Sequence, residues 1–83
     1  MSQLVRSATT LGAALRRQRN EVGLTQNELA QRAGIQQRTV SMVEKGVEGV
    51  RLSSIIAILR ALDLELLVQA RSKGSHADIE DMF

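Results

Sequence analysis

Residues 25–46 read TQNELAQRAGIQQRTVSMVEKG, and this stretch decides the fold. Thr25 and Glu28 stand at the spacing of a capping box: the threonine hydroxyl accepts from the backbone N–H of Glu28, and the glutamate carboxylate accepts from the N–H of Thr25. A helix is therefore expected to start at Gln26. Leu24 and Leu29 occupy the positions of a hydrophobic staple, which sets the angle at which the chain enters that helix. Gly34 supplies the left-handed residue that ends it, and Ile35 follows as an apolar residue able to enter the core. A second short helix is expected from about Gln37 to Glu44, stopping near Gly46.

The apolar positions of this pair are Leu29, Ala30, Ala33, Ile35, Val40 and Val43, which leaves Gln36, Gln37, Arg38, Ser41, Met42 and Lys45 free of the core. A helix fits the major groove, where Gln can pair bidentately with adenine, Arg with guanine and Ser with several partners, while N-terminal N–H groups favour phosphate. A solvated polar helix face is the plainer alternative, and polarity alone favours it. The capping box, the glycine turn and the short second helix together reverse that preference. They point to a DNA-reading head built on these six residues.

On these residues the segment resembles the helix-turn-helix of the Cro/C1 repressor family, also called XRE, over about Thr10 to Leu62. The family's TQxELA opening stands here as TQNELA, its central glycine as Gly34, and its helix-ending ExG as Glu44-Lys45-Gly46. The resemblance implies a mainly α, lambda-repressor-like domain of four to five helices. It also implies that Gln26 contacts the DNA backbone and that Gln36, Gln37, Arg38 and Ser41 read bases. Thr25 and Thr39 are counted with Gln26 in the expected backbone set. Met42 sits where many relatives carry a polar reader; it can touch a thymine methyl or merely fill space.

The charge balance points the same way. Residues 1–73 carry all 11 Lys and Arg against six acids, a net +5, while the last ten residues hold Asp78, Glu80 and Asp81, a net −3. Arg16, Arg17, Arg19, Arg32, Arg38 and Lys45 are candidates for phosphate contacts, which dominate nonspecific DNA affinity and make it salt-sensitive. A cluster such as LRRQR is more often a solvated face, so only some of these are expected to reach DNA. Arg32 and Lys45 join the backbone set.

At 83 residues and 43% hydrophobic the chain can hold one core, and a domain of this size gains from oligomerisation. There is no Cys, hence no disulfide framework or thiolate metal site. The opening MSQLVRSATT has no apolar signal segment, and the apolar run at residues 55–59 is too short to span a bilayer, so the cytoplasm and the nucleoid are the expected location.

Around the central pair, Thr10 is expected to cap a first helix with Leu11, Ala14, Leu15 and Val22 near one face and Gly23 at its end. Ser53 or its neighbour is expected to start another, in which Ile55, Ile58, Leu59 and Leu62 follow helical spacing. The intervening GVEGVR contains a GxxG like the clamp of KH RNA-binding domains, but without surrounding strands it reads as an interhelical turn.

After Leu62 the period changes. Leu64, Leu66, Val68 and Ala70 alternate with Glu65, Gln69 and Arg71, broken only by Leu67, which predicts a strand over about 64–70. A lone strand needs a partner, and the same strand of a second copy supplies one across a two-fold axis. A final helical turn running into the tail is the alternative. The helix-then-strand ending is similar to that of HipB-type antitoxins, small repressors that dimerise through a C-terminal strand. That similarity implies a HipA-like serine/threonine kinase toxin as partner, and a complex that represses its own operon.

Residues 1–71 are thus expected to form the DNA-binding and dimerisation domain, and 72–83 a flexible acidic tail. The tail ends in Ile79, Met82 and Phe83, and Phe83 is the only aromatic residue of the chain. An apolar end on a flexible segment suits a pocket on another protein. An unstructured solubilising tail is equally compatible. Catalysis has no basis in the residues, since there is no phosphate loop, metal-ligand cluster or Cys nucleophile, and His76 is alone in the tail. No cofactor is expected. The expected partners are palindromic operator DNA, a second copy and the kinase toxin. A stand-alone XRE-family repressor and a protein-interaction module with little DNA affinity are the alternatives.

Overall fold

A computed structural model describes residues 3–71, which form four helices: α1 (Ala8–Glu21), α2 (Gln26–Ala33), α3 (Gln37–Glu44) and α4 (Leu52–Ala61). The boundaries of α2 and α3 are those the capping box and Gly34 predict. Thr25 Oγ1 accepts from the N–H of Glu28 at 3.0 Å, and Glu28 Oε1 accepts from the N–H of Thr25 at 2.9 Å. Leu24 and Leu29, the staple pair, are both buried in the core.

One helix start differs from expectation. Helix α1 begins earlier, with Ser7 as its cap and Thr10 three residues in, where the two side chains form a reciprocal capping box. Two hydroxyls at this spacing look alike in sequence, and the chain uses both. Helix α4 starts at Leu52, the neighbour of Ser53, as expected, with Arg51 as its cap residue and no side-chain cap. The GVEGVR segment is an interhelical turn.

All four helices end in the same way. The N–H groups of Leu24, Ile35, Val47 and Leu64 reach back to the carbonyls of Arg19, Ala30, Met42 and Leu59 at 3.1, 3.1, 3.0 and 2.8 Å. This is the Schellman closure, which needs a left-handed residue just before the donor. Gly23, Gly34 and Gly46 fill that place in the first three helices, and Asp63, with φ 58°, fills it in the fourth. Asp tolerates that conformation better than most side chains do. The closure turns Ile35 and Leu64 back onto the core, where both pack.

The core draws on every helix: Leu15 from α1, Leu29 and Ala30 from α2, Val40 and Val43 from α3, and Ile58 and Leu59 from α4, with Leu62 just beyond. Leu15, Leu29, Val40 and Ile58 are fully buried, each contributing about 1.5–3 kcal/mol of transfer free energy. Helix α2 packs on α3 and α4, and α1 packs on α3. Val22, expected on the apolar face of α1, lies in the turn beyond the helix and is 49% exposed.

The α1–α3 contact depends on Gly12. A Cβ there would overlap the carbonyl oxygen of Val43 and lie 2.8 Å from that of Glu44, so the two backbones meet at the C-terminal end of α3.

The expected strand over 64–70 is not present: among the described residues there is no β-strand, and residues 64–71 are neither strand nor helix. A ladder needs a second strand, and the described residues offer none at this edge. Leu64 packs on the core, whereas Leu66, Leu67 and Val68 are 59, 72 and 89% exposed and Ala70 is exposed too. Ile79, Met82 and Phe83 lie outside the described residues. Among the described residues no helix is long and apolar enough to cross a membrane.

Candidate nucleic-acid interface

Helix α3 carries its buried residues, Val40 and Val43, on one side. At ~100° per residue, Gln37, Ser41, Lys45 and Arg38 fall within about one quarter-turn to one third-turn of each other on the opposite side. Gln36, Gln37, Arg38 and Lys45 are exposed and Ser41 is half-buried. Four of the predicted contact residues and the cap residue Gln36 therefore share one outward face or its N-terminal edge. Helix α3 begins without a side-chain cap, which leaves its first backbone N–H groups open to an anion. Thr39 lies on the flank, where with Met42, Val50, Arg51 and Ser54 it lines a shallow groove between α3 and the start of α4.

Gln26 meets this face at its beginning. Gln37 Nε2 donates to Gln26 Oε1 at 2.6 Å, so the first residue of α2 and the first residue of α3 are tied side chain to side chain. Gln26 Nε2 in turn donates to Glu44 Oε1 at 3.0 Å. The Thr25 hydroxyl, already an acceptor in the capping box, keeps its proton as a donor. Arg32 is exposed in the last turn of α2, but it projects ~120° around that helix from Gln26 and stands beside Glu28. Gln26 and Gln37 are thus brought together with Thr25, while Arg32 stands apart.

Behind α3 lies an ion pair that the sequence reading did not assign. Arg19, expected among the candidate phosphate contacts, is buried. Its Nε and Nη2 donate to Glu44 Oε2 and Oε1 at 2.6 and 3.0 Å, and its Nη1 donates to the carbonyl of Leu24 at 2.7 Å. The hydrogen bond to Glu44 raises the guanidinium pKa, with burial opposing it. The signal was present as charge out of place. Arg19 continues the Leu11–Leu15 stripe of α1, and Glu44 follows Val40 by four residues in α3. A charge on each of two core stripes calls for a buried partner. Gly12, beside the same stripe, was the second signal, because a glycine inside a helix costs about 1 kcal/mol and so marks a close backbone approach. Arg17 also finds a partner within the chain, its Nη1 donating to Gln3 Oε1 at 2.9 Å, whereas Arg16 is exposed.

Glu28 shows the capping box electrostatically. Hydrogen bonds from the Thr25 backbone and then from its side chain hold the carboxyl below its ordinary value, with a smaller contribution from Arg32.

The helix-turn-helix family model HTH_3 matches residues 15–68. Antitoxin HipB of Escherichia coli O6:H1 is 36% identical over 76 residues, which cover 90% of this chain and 81% of the relative. Antitoxin HipB of Escherichia coli strain K12 is 36% identical over 64 residues, covering 77% and 73%. Among solved structures, a HipB–O4 20mer complex superposes with a TM-score of 0.80 at 32% identity, covering 86% of this chain and 100% of that one. A HipA–HipB–O2–O3 complex gives 0.79 at 32% identity with the same coverage. The restriction-modification controller protein C.AhdI of Aeromonas hydrophila gives 0.65 at 36% identity, covering 70% and 88%.

Proposed function

Since the chain belongs to the HTH_3, XRE-type helix-turn-helix family and is similar to HipB antitoxins, we propose that it is a sequence-specific, dimeric DNA-binding repressor, the antitoxin of a HipA-like kinase toxin. The observation that carries the DNA-reading part is the joined pair Gln26–Gln37 at the N-terminal edge of an exposed polar helix face. Gln36, Gln37, Arg38 and Ser41 read base edges; Thr25, Gln26, Thr39 and Lys45 hold phosphates at that face, and Arg32, which stands apart from it, is left out of the set. Phosphate contacts set register and affinity, and base contacts set sequence.

Dimerisation follows from residues 64–70. Leu66, Leu67 and Val68 are exposed, and beside them Ile56, Leu59, Arg60, Leu64 and Leu66 line an open cleft against α4. A second copy offers the missing ladder and covers the leucines, so the segment pairs as a strand across a two-fold axis. The HipA–HipB–O2–O3 neighbour supports a kinase-type partner, for which Ile79, Met82 and Phe83 form an apolar anchor.

Selection of binding sites from a random duplex library, with purified full-length chain at low and physiological salt, tests this function. The expected product is a palindrome with half-sites one helical turn, ~34 Å, apart. Enrichment of no sequence, or binding that salt does not weaken, would reject the repressor and favour a protein-interaction module. Copurification from the native host tests the kinase separately.

A further inference from the structure

The hydrogen bonds at the base of the reading helix all run in one direction. An ionised carboxylate only accepts, so both oxygens of Glu44 must be met by donors. Oε2 takes Arg19 Nε, and Oε1 takes both Arg19 Nη2 and Gln26 Nε2, the last two at 3.0 Å. With its amino group turned toward Glu44, Gln26 presents its carbonyl outward, and there it accepts from Gln37 Nε2 at 2.6 Å. One N–H of Gln37 is then committed, leaving one N–H and Oε1 free. A donor beside an acceptor is the pattern that adenine N7 and N6 require in the major groove. A glutamine amide without such an anchor turns over, exchanging donor for acceptor at no cost in shape.

We propose that Glu44, clamped by Arg19, is a positioning residue that sets the donor–acceptor polarity of Gln26 and Gln37, and so fixes the edge that Gln37 presents to a base. The inference rests on the DNA-reading function above and adds a residue that itself touches no base. The Glu44 side chain is 4% exposed, behind α3. Its orientation is not free, because Arg19 grips both oxygens and is itself fixed by its third bond, to the Leu24 carbonyl. A neutral amide at position 44 offers an N–H where Gln26 now finds only an acceptor. Gln26 can then turn over, and Gln37 with it.

The test is a double-mutant cycle of Glu44→Gln with Gln26→Ala in full-length protein, read as base preference at the position opposite Gln37 in a randomised half-site. Thermal melts report folding alongside. In the otherwise native chain, Glu44→Gln is expected to lower the preference for adenine by about tenfold. In the Gln26→Ala background it is expected to add no further change in preference. A role confined to stability lowers the melting temperature and total affinity in both backgrounds and leaves the preference where it was, which would overturn the proposal. A native chain that enriches no sequence overturns the DNA-reading function and this inference together; a native chain that enriches a site equally well read after Glu44→Gln overturns this inference alone. If Glu44→Gln does not fold, the native free protein decides. With glutamine side chains labelled with nitrogen-15, the Gln26 amide protons are expected to show nuclear Overhauser effects to the Glu44 methylenes, and those of Gln37 to Gln26. Absence of the Gln26–Glu44 effect would overturn the proposal.

Discussion

Arg19 and Glu44 lie 25 residues apart in sequence and meet in a two-point ion pair, Nε to Oε2 at 2.6 Å and Nη2 to Oε1 at 3.0 Å, with both side chains almost wholly out of solvent. The pair joins the last turn of α1 to the last residue of α3, so it is a fastening of the bundle and not a phosphate contact.

Removing one partner strands the other as an unpaired buried charge. Arg19→Met is expected to destabilise the domain by about 3–5 kcal/mol, whereas Arg19→Met with Glu44→Leu recovers a large part of that loss, because an apolar pair of similar volume is often as stable as a buried ion pair. Urea unfolding of both variants at matched protein concentration checks this; equal losses would show that the charge itself is required.

Gly12→Ala separates helix propensity from packing, since the two have opposite signs here. Propensity alone favours alanine by about 1 kcal/mol. Overlap of the new Cβ with the Val43 carbonyl is expected to win and destabilise by ~2 kcal/mol. A raised melting temperature would refute the close approach of α1 to α3.

Base-reading and backbone residues are distinguishable by what their loss does to sequence preference. Gln37→Ala and Arg38→Ala are each expected to cost roughly 1–3 kcal/mol at particular base pairs. Lys45→Ala is expected to weaken all sequences and to reduce the salt slope by about 1, whereas Gln26→Ala, which also releases the Gln37 amide, is expected to weaken all sequences and in addition lower the preference opposite Gln37. Fluorescence anisotropy against the selected site and single-base variants measures both, and a uniform loss for Gln37→Ala would remove it from the reading set.

Acidification acts on the α2 capping box. Because the folded-state pKa of Glu28 is depressed, its contribution is present above the unfolded value and is lost as pH falls through the folded one. Glu28→Gln retains a capping side chain without the titration. The stability gap between native chain and variant is therefore expected to be widest near neutral pH and to close in acid. A gap constant from neutral pH down through the carboxylate range would disprove the linkage.

The dimer surface is tested by charge. Leu66→Asp or Val68→Asp is expected to yield monomers in analytical ultracentrifugation and to weaken binding to a palindromic site, with a smaller effect on an isolated half-site. Persistence of the dimer would move the interface elsewhere.

The parts of the fold legible in sequence are those whose determinants lie within a few residues. Thr25 and Glu28 are three apart, and Gly34 ends α2 through its own backbone, so the boundaries of α2 and α3 follow from local chemistry. The same locality explains the error at α1, where Ser7 and Thr10 both satisfy a cap and only the assembled turn assigns the roles. In sequence Arg19 is one of the basic residues of LRRQR and nothing local separates it from Arg16 and Arg17; only the α1–α3 contact turns it inward. Alternation at residues 64–70 expresses a preference for pairing, but the pairing strand is not within the described chain.

Helix α3 is held from behind by Val40 and Val43 in the core, at its start by Gln37 on Gln26, and at its far end by Gly12 against Val43 and Glu44, by Thr9 against Gly46 and by Arg19 on Glu44. Positions 36, 38 and 41 belong to none of these contacts. On the proposed base-reading roles, the fold and the operator preference reside on separate residues, and a duplicated copy can diverge toward a new site at these three positions without disturbing its core. On the same proposal Gln37 is the exception: bound through Gln26 to Glu44, it changes only in step with both.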